Sequence, residues 1–186
     1  MKLFNLTNKV AIITGGNGGI GFAMAKAVGE AGATIVIAGR NETKNKKSVE
    51  ELNSLNVKCK SMIVDVVDET SCNKLIDDVA KEFGKLNILI NNAGTNIRKR
   101  PEEYELEEWT SIIDTNLIST FICSKAAFKH FKNINGGKII NIGSMHSLFG
   151  APLGSAYSAS KGGVVQLTKS LANTWAKDNI QVNAVL

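Results

Sequence analysis

The order of apolar and polar residues along the chain predicts alternating strands and helices. Short apolar runs of five to seven residues, typical of buried strands, occur at 9–14, 34–38, 58–64, 86–90, 138–142 and 180–185. Longer segments of helical composition lie between them, at 20–31, 42–55, 69–83, 102–133 and 157–177. Gly32 and the pair Gly136-Gly137 are expected to end two of these helices.

This alternation also predicts the fold class. Strands that are apolar throughout belong in a parallel sheet that helices cover on both faces. Strict alternation with right-handed crossovers then gives a doubly wound sheet. We therefore expect an α/β fold of Rossmann type with three α/β/α layers. No linker, repeat or low-complexity segment interrupts the pattern, so residues 1–186 are predicted to form a single domain.

Composition narrows the class of protein further. Hydrophobic residues make up 44% and charged residues 21% of the chain, as in soluble globular proteins. No apolar stretch approaches the roughly 18 residues of a membrane helix. Polar residues 7–9 come too early for the apolar core of a signal peptide, so we expect a cytoplasmic protein without a membrane partner.

The charged and metal-binding residue types suggest no further class of partner. The net charge is +5, but the cations are dispersed, and the cluster Lys44, Lys46 and Lys47 is expected to be a solvated helix face rather than a nucleic-acid site. The three cysteines form no CxxC motif and are expected to be buried, reduced thiols. Two widely separated histidines are too few for a metal site.

A glycine-rich turn joins the first predicted strand to the first helix. In residues 14–21, TGGNGGIG, the glycines fit both a GxGxxG spacing (Gly16, Gly18, Gly21) and a TGxxxGxG spacing (Gly15, Gly19, Gly21). Glycine lets the backbone approach a pyrophosphate closely, and the amides at the helix N-terminus face its negative charge. The turn therefore indicates a dinucleotide site, with a purely structural tight turn as the alternative.

The end of the second predicted strand bears on which dinucleotide is bound. An acidic residue there would hydrogen-bond the adenosine ribose of NAD. This chain has Gly39, Arg40 and Asn41 instead, and a guanidinium can pair with a 2′-phosphate. We therefore expect NADP to be preferred over NAD. The alternative is that Arg40 stacks beside the adenine or points to solvent.

A tyrosine and a lysine four residues apart open the last long helix. The spacing places Tyr157 and Lys161 on one helical face. A lysine ammonium beside a phenol favours the phenolate, so Tyr157 would exchange a proton with a substrate oxygen near neutral pH. Ser144 follows the fifth strand, where open α/β sheets place their ligands, and its hydroxyl would polarise that oxygen.

With these motifs the chain closely resembles the short-chain dehydrogenase/reductase family, over essentially its whole length. The residues TGGNGGIG resemble the family's cofactor loop, and Asn91-Asn92-Ala93-Gly94 resembles its NNAG segment. The resemblance implies an enzyme that transfers a hydride between nicotinamide and a carbonyl or alcohol carbon, using a catalytic tetrad of Asn116, Ser144, Tyr157 and Lys161.

The resemblance also implies a role for each matched residue. Tyr157 would be the acid/base and Ser144 would orient the carbonyl. Lys161 would hold the nicotinamide ribose, and Asn116 would bind a water linking Lys161 to a proton relay. NADP or NAD would be bound by Thr14, Gly15, Asn17, Gly19, Ile20, Gly21, Arg40, Asp65, Val66, Asn92, Ala93, Gly94, Tyr157 and Lys161. A capping or packing role is the alternative for Asp65.

The substrate is less well defined by the sequence. Residues 96–101 and 138–145 resemble gluconate 5-dehydrogenases and related sugar dehydrogenases. Arg98 or Arg100 would then pair with a sugar-acid carboxylate, unless both are surface charges opposite Glu102 and Glu103. Besides Ser144 and Tyr157, His146 would line the substrate pocket or be a packed loop residue. Reduction of 3-oxoacyl groups on a carrier protein is the alternative activity.

Two further expectations follow from the resemblance. Relatives continue beyond the position of Leu186 into a Pro-Gly segment, a substrate-covering loop, a helix and a seventh strand. A truncated, nucleotide-binding subunit with weak catalysis is therefore the alternative function from another class of protein.

The resemblance also implies an oligomer, because family members form dimers or tetramers. We therefore expect a homodimer or homotetramer. Apolar residues that would pack in the core or against a partner helix are Trp109, Ile112, Ile113, Phe121, Ala126 and Phe128.

Overall fold

Six parallel strands form the centre of the protein, whose structure is a computed structural model that describes residues 4–186. The strands are β1 (Val10–Thr14), β2 (Thr34–Gly39), β3 (Cys59–Ile63), β4 (Ile88–Asn91), β5 (Gly137–Ile142) and β6 (Ile180–Val185). Their order across the sheet is β3-β2-β1-β4-β5-β6. Each run predicted from the apolar pattern is a strand, with ends within two residues of the expected positions.

Six α-helices connect and cover these strands. They are α1 (Gly19–Glu30), α2 (Glu42–Ser54), α3 (Glu69–Phe83), α4 (Leu106–Ile113), α5 (Ser119–Asn133) and α6 (Ser155–Trp175). Local capping fixes the bounds of α3: the Asp68 side chain accepts a hydrogen bond from Thr70 N (2.8 Å), and Gly84 ends the helix with a φ of 71°.

The sheet separates two apolar cores, so the doubly wound α/β/α fold is confirmed. Because side chains alternate along a strand, neighbouring residues of β1 enter different cores. Ile12 packs with α3, α5 and α6 on one face, while Ala11 and Ile13 pack with α1 and α2 on the other. None of the helices in the described part of the chain has the length and apolarity needed to cross a membrane.

The predicted helical region 102–133 is the main difference between expectation and structure. It is one segment in the sequence pattern but three in the structure: a 3-10 turn over Pro101–Glu103, then α4, then α5. A π-helical turn, Asp114–Ile118, joins α4 to α5 and contains Asn116. Single π turns inside helices occur often at functional sites.

The apolar residues assigned to this region divide between the core and the surface. Ile112 and Ala126 are buried, whereas Phe121 is 42% exposed. Phe128 packs on Trp175 of α6 with ring centres 5.0 Å apart. The three cysteines, Cys59, Cys72 and Cys123, are buried and form no disulfide, as predicted.

Candidate active site

A cleft with two lobes lies at the carboxyl ends of the strands. The strand order reverses between β1 and β4, and open α/β sheets bind ligands at such a switch point. One lobe has a volume of about 720 Å³ and is lined by Ser144, Tyr157 and Lys161, among others. The other lobe has about 280 Å³ and is lined by Asn17, Arg40 and Asp65, among others. Gly94 and Thr95 line both lobes, which therefore adjoin.

The glycine turn between β1 and α1 has a shape that only glycine allows. Gly15 and Gly19 have φ values of 64° and 51°, in the left-handed region. A Cβ atom on Gly21 would lie 2.3 Å from the Gly15 carbonyl oxygen, which is too close for any other residue. Gly18 caps α1 without a side-chain hydrogen bond, and the first helical turn has no acidic residue. Its amides therefore suit an anion such as a pyrophosphate.

Residues after β4 hold this turn in place. The Thr14 hydroxyl accepts hydrogen bonds from Asn92 N (3.0 Å) and Ala93 N (3.1 Å). In return, Asn92 Nδ2 donates to the carbonyl oxygens of Thr14 (3.0 Å) and Gly15 (3.2 Å). The cofactor residues predicted on β1 and β4 are thus brought together by direct contacts.

The smaller lobe contains the residues predicted to surround the adenosine. Asn17 Nδ2 donates to Asn45 Oδ1 (2.6 Å), and Asn45 Nδ2 donates to the carbonyl oxygen of Gly39 (2.8 Å). A Cβ atom on Gly39 would lie 2.9 Å from Asn17 Nδ2, so a carboxylate side chain does not fit there as the residues stand. Arg40 is exposed, lines the lobe and forms no ion pair with residues 4–186.

The segment after β3 supplies the opposite wall of this lobe. Asp65 and Val66 both line it. Asp65 N donates to Ser71 Oγ (3.1 Å), and Asp65 Oδ1 accepts a hydrogen bond from Val67 N (3.3 Å). Asp65 therefore also stabilises its own loop, the role considered as its alternative.

Tyr157 and Lys161 lie on the wall of the larger lobe. Lys161 Nζ lies 5.7 Å from the centre of the Tyr157 ring and donates to the Ile142 carbonyl oxygen (2.6 Å). The residue Lys161 is only 5% exposed. Burial disfavours the charged form and lowers the pKa of the Lys161 ammonium to about 8.

Ser144 enters the same lobe from the end of β5. Its Oγ accepts a hydrogen bond from His146 N (3.1 Å) and lines the lobe together with Tyr157. The neighbouring Ser147 Oγ donates to the Lys161 carbonyl oxygen (2.8 Å), which attaches this loop to α6. The serine, tyrosine and lysine predicted from motifs far apart in the chain are therefore gathered at one wall.

Asn116 lies beneath this wall rather than on it. The residue is 1% exposed. Its Oδ1 accepts a hydrogen bond from Thr95 N (2.8 Å), and its Nδ2 donates to Thr95 O (2.9 Å) and Ser160 Oγ (3.0 Å). These contacts join the β4 loop to α6, and the predicted water contact stays a prediction. Thr95 and Ser160 were not expected from the sequence, where nothing indicates their pairing with Asn116.

The predicted substrate residues His146 and Arg98 do not line the lobe. His146 packs edge-on against the Tyr157 ring, with ring centres 5.4 Å apart, and its Nδ1 lies 3.3 Å from Ser158 Oγ. Arg98 is exposed on the loop after β4. Arg100 Nε pairs with Glu102 (2.6 Å), as in the surface-charge alternative.

The comparison with known sequences decides the family. The sequence profile of the short chain dehydrogenases matches residues 9–186, nearly the whole chain. The chain belongs to the short-chain dehydrogenase family. It is therefore an oxidoreductase enzyme of a family that uses NAD(P), as its motifs predicted.

Named relatives of this short-chain dehydrogenase act on different substrates. It is 42% identical to a 3α-hydroxysteroid dehydrogenase of Mediterraneibacter gnavus over 97% of the chain and 73% of the relative. It is 39% identical to a 2-dehydro-3-deoxy-D-gluconate 5-dehydrogenase of Escherichia coli, over the whole chain and 73% of that protein. A crystal structure provisionally assigned to a gluconate dehydrogenase of Agrobacterium tumefaciens is also similar, with a TM-score of 0.96 and 34% identity. The match covers 99% of this chain and 73% of the chain in that crystal structure.

Proposed function

We propose that this chain is an NADP-preferring oxidoreductase that acts on a carbonyl or secondary alcohol of a sugar or sugar acid. The observation that carries the proposal is the shared wall of Ser144, Tyr157 and Lys161, in a lobe continuous with a second lobe at the glycine turn. A dinucleotide has two halves that need adjoining sites, and a reacting carbon needs a proton donor beside its oxygen. The two lobes meet both requirements.

The residues present fit a dinucleotide. The turn held by Thr14 and Asn92 leaves no room for a side chain at Gly21, and the uncapped start of α1 suits the pyrophosphate. Asp65 and Val66 would flank the adenine, and Ala93 and Gly94 would lie along the adenosine ribose. Bound NADP supplies the nicotinamide carbon that gives or takes the hydride.

Each of the four residues at or beneath the wall would have a distinct part in the reaction. Tyr157 gives a proton to the substrate oxygen in the reducing direction and takes it back in the oxidising direction. Ser144 Oγ donates a hydrogen bond to the same oxygen and fixes its orientation. Lys161 Nζ would hold the nicotinamide ribose hydroxyls, and it places its positive charge 5.7 Å from the centre of the Tyr157 ring. Asn116 keeps the loop at Thr95 against α6.

The preference for NADP is proposed from the charges around the smaller lobe. Arg40 and Lys44 both line it, whereas Gly39 occupies the place of a carboxylate that would bind the NAD ribose. A guanidinium paired with a 2′-phosphate contributes on the order of 1.5–3 kcal/mol as a charge-assisted hydrogen bond. We therefore expect Arg40→Ala to weaken NADPH binding by about tenfold or more, with little effect on NADH.

Fluorescence titrations with both reduced dinucleotides test this preference. Arg100→Ala is the matched control, since Arg100 is also exposed but pairs with Glu102 outside the cleft. It should leave both affinities unchanged. Tighter binding of NADH than of NADPH by the unaltered protein would contradict the preference, and absence of binding to either would contradict the proposed function itself.

A sugar-acid substrate is proposed because relatives 39% identical over the whole chain are named for 2-dehydro-3-deoxy-D-gluconate. Arg98 would contribute a carboxylate contact only if its loop turns towards the lobe. An NADPH-oxidation screen tests the assignment with keto sugar acids and with acetoacetyl thioesters, the substrate type of carrier-protein reductases. Turnover of the thioester alone would overturn it.

A hydroxysteroid is the second candidate substrate, because much of the wall of the larger lobe is apolar. Ile20, Met24, Ile142 and Met145 line it, and apolar walls suit a fused-ring carbon skeleton. A relative 42% identical is named a 3α-hydroxysteroid dehydrogenase. The same screen should include a 3-oxo-steroid, whose turnover in preference to the sugar acids would favour this candidate.

A homodimer is proposed from the apolar residues that remain on the helical surface. Leu106 at the start of α4 is 74% exposed, and Ile118 and Phe121 near the start of α5 are 40% and 42% exposed. Exposed large apolar side chains grouped on a surface are common at subunit interfaces. Light scattering tests the proposal, and a monomeric mass at micromolar concentration would contradict it.

A further inference from the structure

Four polar side chains form a hydrogen-bonded group inside the apolar core behind the cleft. They are buried, with Asn91 5%, Ser124 0%, Asn141 0% and Thr168 6% exposed. Asn91 Nδ2 donates to Ser124 Oγ (3.0 Å) and to Asn141 Oδ1 (2.9 Å). Asn141 Nδ2 in turn donates to Thr168 Oγ1 (2.9 Å). We call these four residues the core network.

The core network is specific in its geometry but not optimal for stability. Asn91 and Asn141 are directly paired neighbours on β4 and β5, and Thr168 Oγ1 donates a hydrogen bond to the Val164 carbonyl oxygen (2.7 Å). Asn91 Oδ1, however, accepts no hydrogen bond from residues 4–186. Buried polar groups without partners are unfavourable, and apolar side chains of similar volume would avoid this. A role other than stability would account for the network.

The placement of its members indicates that role. Each lies on an element that carries a candidate site residue or leads directly to one. Asn91 directly precedes Asn92, which holds the glycine turn. Asn141 lies three residues before Ser144 on the strand that leads to it. These two members therefore connect the strand ends that present the cofactor turn and the substrate serine.

The other two members connect the helices. Thr168 lies two turns after Lys161 on the buried face of α6. Ser124 lies one turn after Thr120 on α5, and the Thr120 hydroxyl donates to the Asn116 carbonyl oxygen (2.9 Å). Since the network crosses from both strands to both helices, a shift of any of the four elements would break one of its hydrogen bonds.

We infer that Thr168 and Ser124 are positioning residues. Through its hydrogen bond with Asn141, Thr168 would fix the position of α6 against β5. Through its hydrogen bond with Asn91, Ser124 would fix the position of α5 against β4. The inference rests on the proposed function. The network would fix how far Tyr157 and Lys161 on α6 lie from Ser144 and from the glycine turn, and these are the groups proposed to act on the substrate and the cofactor. In such an arrangement, a displacement of about 1 Å can lower the rate on the order of a hundredfold.

The test removes the hydroxyl of Thr168 while keeping the shape of the side chain. Thr168→Val leaves Asn141 Nδ2 without an acceptor, and Thr168→Ser keeps the hydroxyl and should restore the wild-type behaviour. Ser124→Ala breaks the network at its other end. Val79→Ala is the control for loss of stability alone, because Val79 is fully buried in the same core but on α3, which carries no site residue.

Two readouts separate positioning from stability. The first is kcat: we expect Thr168→Val to lower it by about tenfold or more with the cofactor Kd within about threefold, and Ser124→Ala to lower it less. Val79→Ala and Thr168→Ser should keep wild-type kcat. The second is the titration of Lys161 by NMR in lysine-labelled protein without cofactor. Its midpoint should move in Thr168→Val but not in Thr168→Ser or Val79→Ala.

The outcomes also separate this inference from the proposed function. Unchanged kcat and an unchanged Lys161 midpoint in Thr168→Val would overturn the positioning role and leave the proposed function standing. Equal losses of kcat in Thr168→Val and Val79→Ala would overturn it as well, as would failure of Thr168→Ser to restore the rate. If the wild-type protein turns over no carbonyl compound, the proposed function fails, and the Lys161 titration alone decides the inference.

Discussion

The buried ammonium of Lys161 leads to a prediction about stability that needs no substrate. The residue is 5% exposed and donates one hydrogen bond, to the Ile142 carbonyl oxygen. Burial lowers its pKa from 10.5 to about 8. At 1.36 kcal/mol per pH unit, this difference is about 3 kcal/mol by which the folded protein disfavours the ammonium relative to the unfolded chain.

The sign of the pH dependence follows from which state holds the proton. Below pH 8 Lys161 is charged in both states, and the whole penalty is present. Between about 8 and 10.5 the unfolded chain still binds the proton while the folded protein releases it, so the free energy of unfolding rises with pH. Above 10.5 Lys161 is neutral in both states, and the penalty is gone.

The substitution Lys161→Met removes the titrating group and keeps a side chain of similar length. Loss of the hydrogen bond to Ile142 O is unfavourable by about 1–3 kcal/mol at every pH, whereas the relief from the buried charge is greatest at pH 7. We therefore expect Lys161→Met to be at least as stable as the wild type at pH 7, without turnover. Its advantage should fall by about 3 kcal/mol as the pH approaches 10.5.

Urea unfolding of both proteins at pH 7, 8, 9 and 10, followed by circular dichroism without cofactor, measures this difference. Comparing two variants cancels groups that they share, including Cys59, whose pKa burial raises to about 12. Lys169→Met is the matched control, an exposed lysine of the same helix, and should give a difference independent of pH. A difference for Lys161→Met that stays constant from pH 7 to 10 would refute the reasoning.

Three further substitutions test the site and the core. Gly21→Ala would place a Cβ 2.3 Å from Gly15 O, so titration should find dinucleotide affinity reduced at least about tenfold; wild-type affinity would contradict the assigned turn. Tyr157→Phe should lower kcat by about 10²–10⁴-fold with a much smaller change in cofactor Kd, and retained turnover would exclude it as the acid/base. Gly137→Ala would place a Cβ 2.2 Å from Phe131 Cγ and should reduce the free energy of unfolding by about 1–3 kcal/mol; unchanged urea stability would contradict the packing there.

Much of the fold was predictable because its signals are local. The central strands are apolar on both faces, so their pattern needs no knowledge of the partner strand. The predicted bounds of α3, about 69–83, agree with the structure, and the residues that cap this helix, Asp68 and Gly84, are adjacent to it in sequence. Where the determining contacts are near in sequence, the sequence alone is sufficient.

The helical region 102–133 was predicted less well because distant contacts shape it. Its composition is helical throughout, but at 114–118 the backbone takes a π turn that places Asn116 between Thr95 and Ser160. These partners are 21 and 44 residues away in sequence. Such pairing leaves no trace in the periodicity of the region, so the interruption was not predicted.

The same distinction holds within the site. Tyr157, Lys161 and Ser144 were found because their spacing forms motifs that carry a known chemistry. Asn91 was noted only as part of the NNAG segment, and Ser124 and Asn141 were not singled out, since they lie 33 and 50 residues from Asn91 and each is an ordinary polar residue by itself. Only the fold shows that these residues share one buried network.

At two positions, residues in or near the candidate site lower the stability of the folded protein. Lys161 is only 5% exposed and places an ammonium in the protein interior, and Asn91 Oδ1 accepts no hydrogen bond from the described residues 4–186. Neither arrangement favours folding. If both persist because they serve the reaction, then apolar replacements that stabilise this protein should be concentrated at these residues and should reduce turnover. A stabilising replacement at Lys161 that retains full turnover would show that its charge is not required.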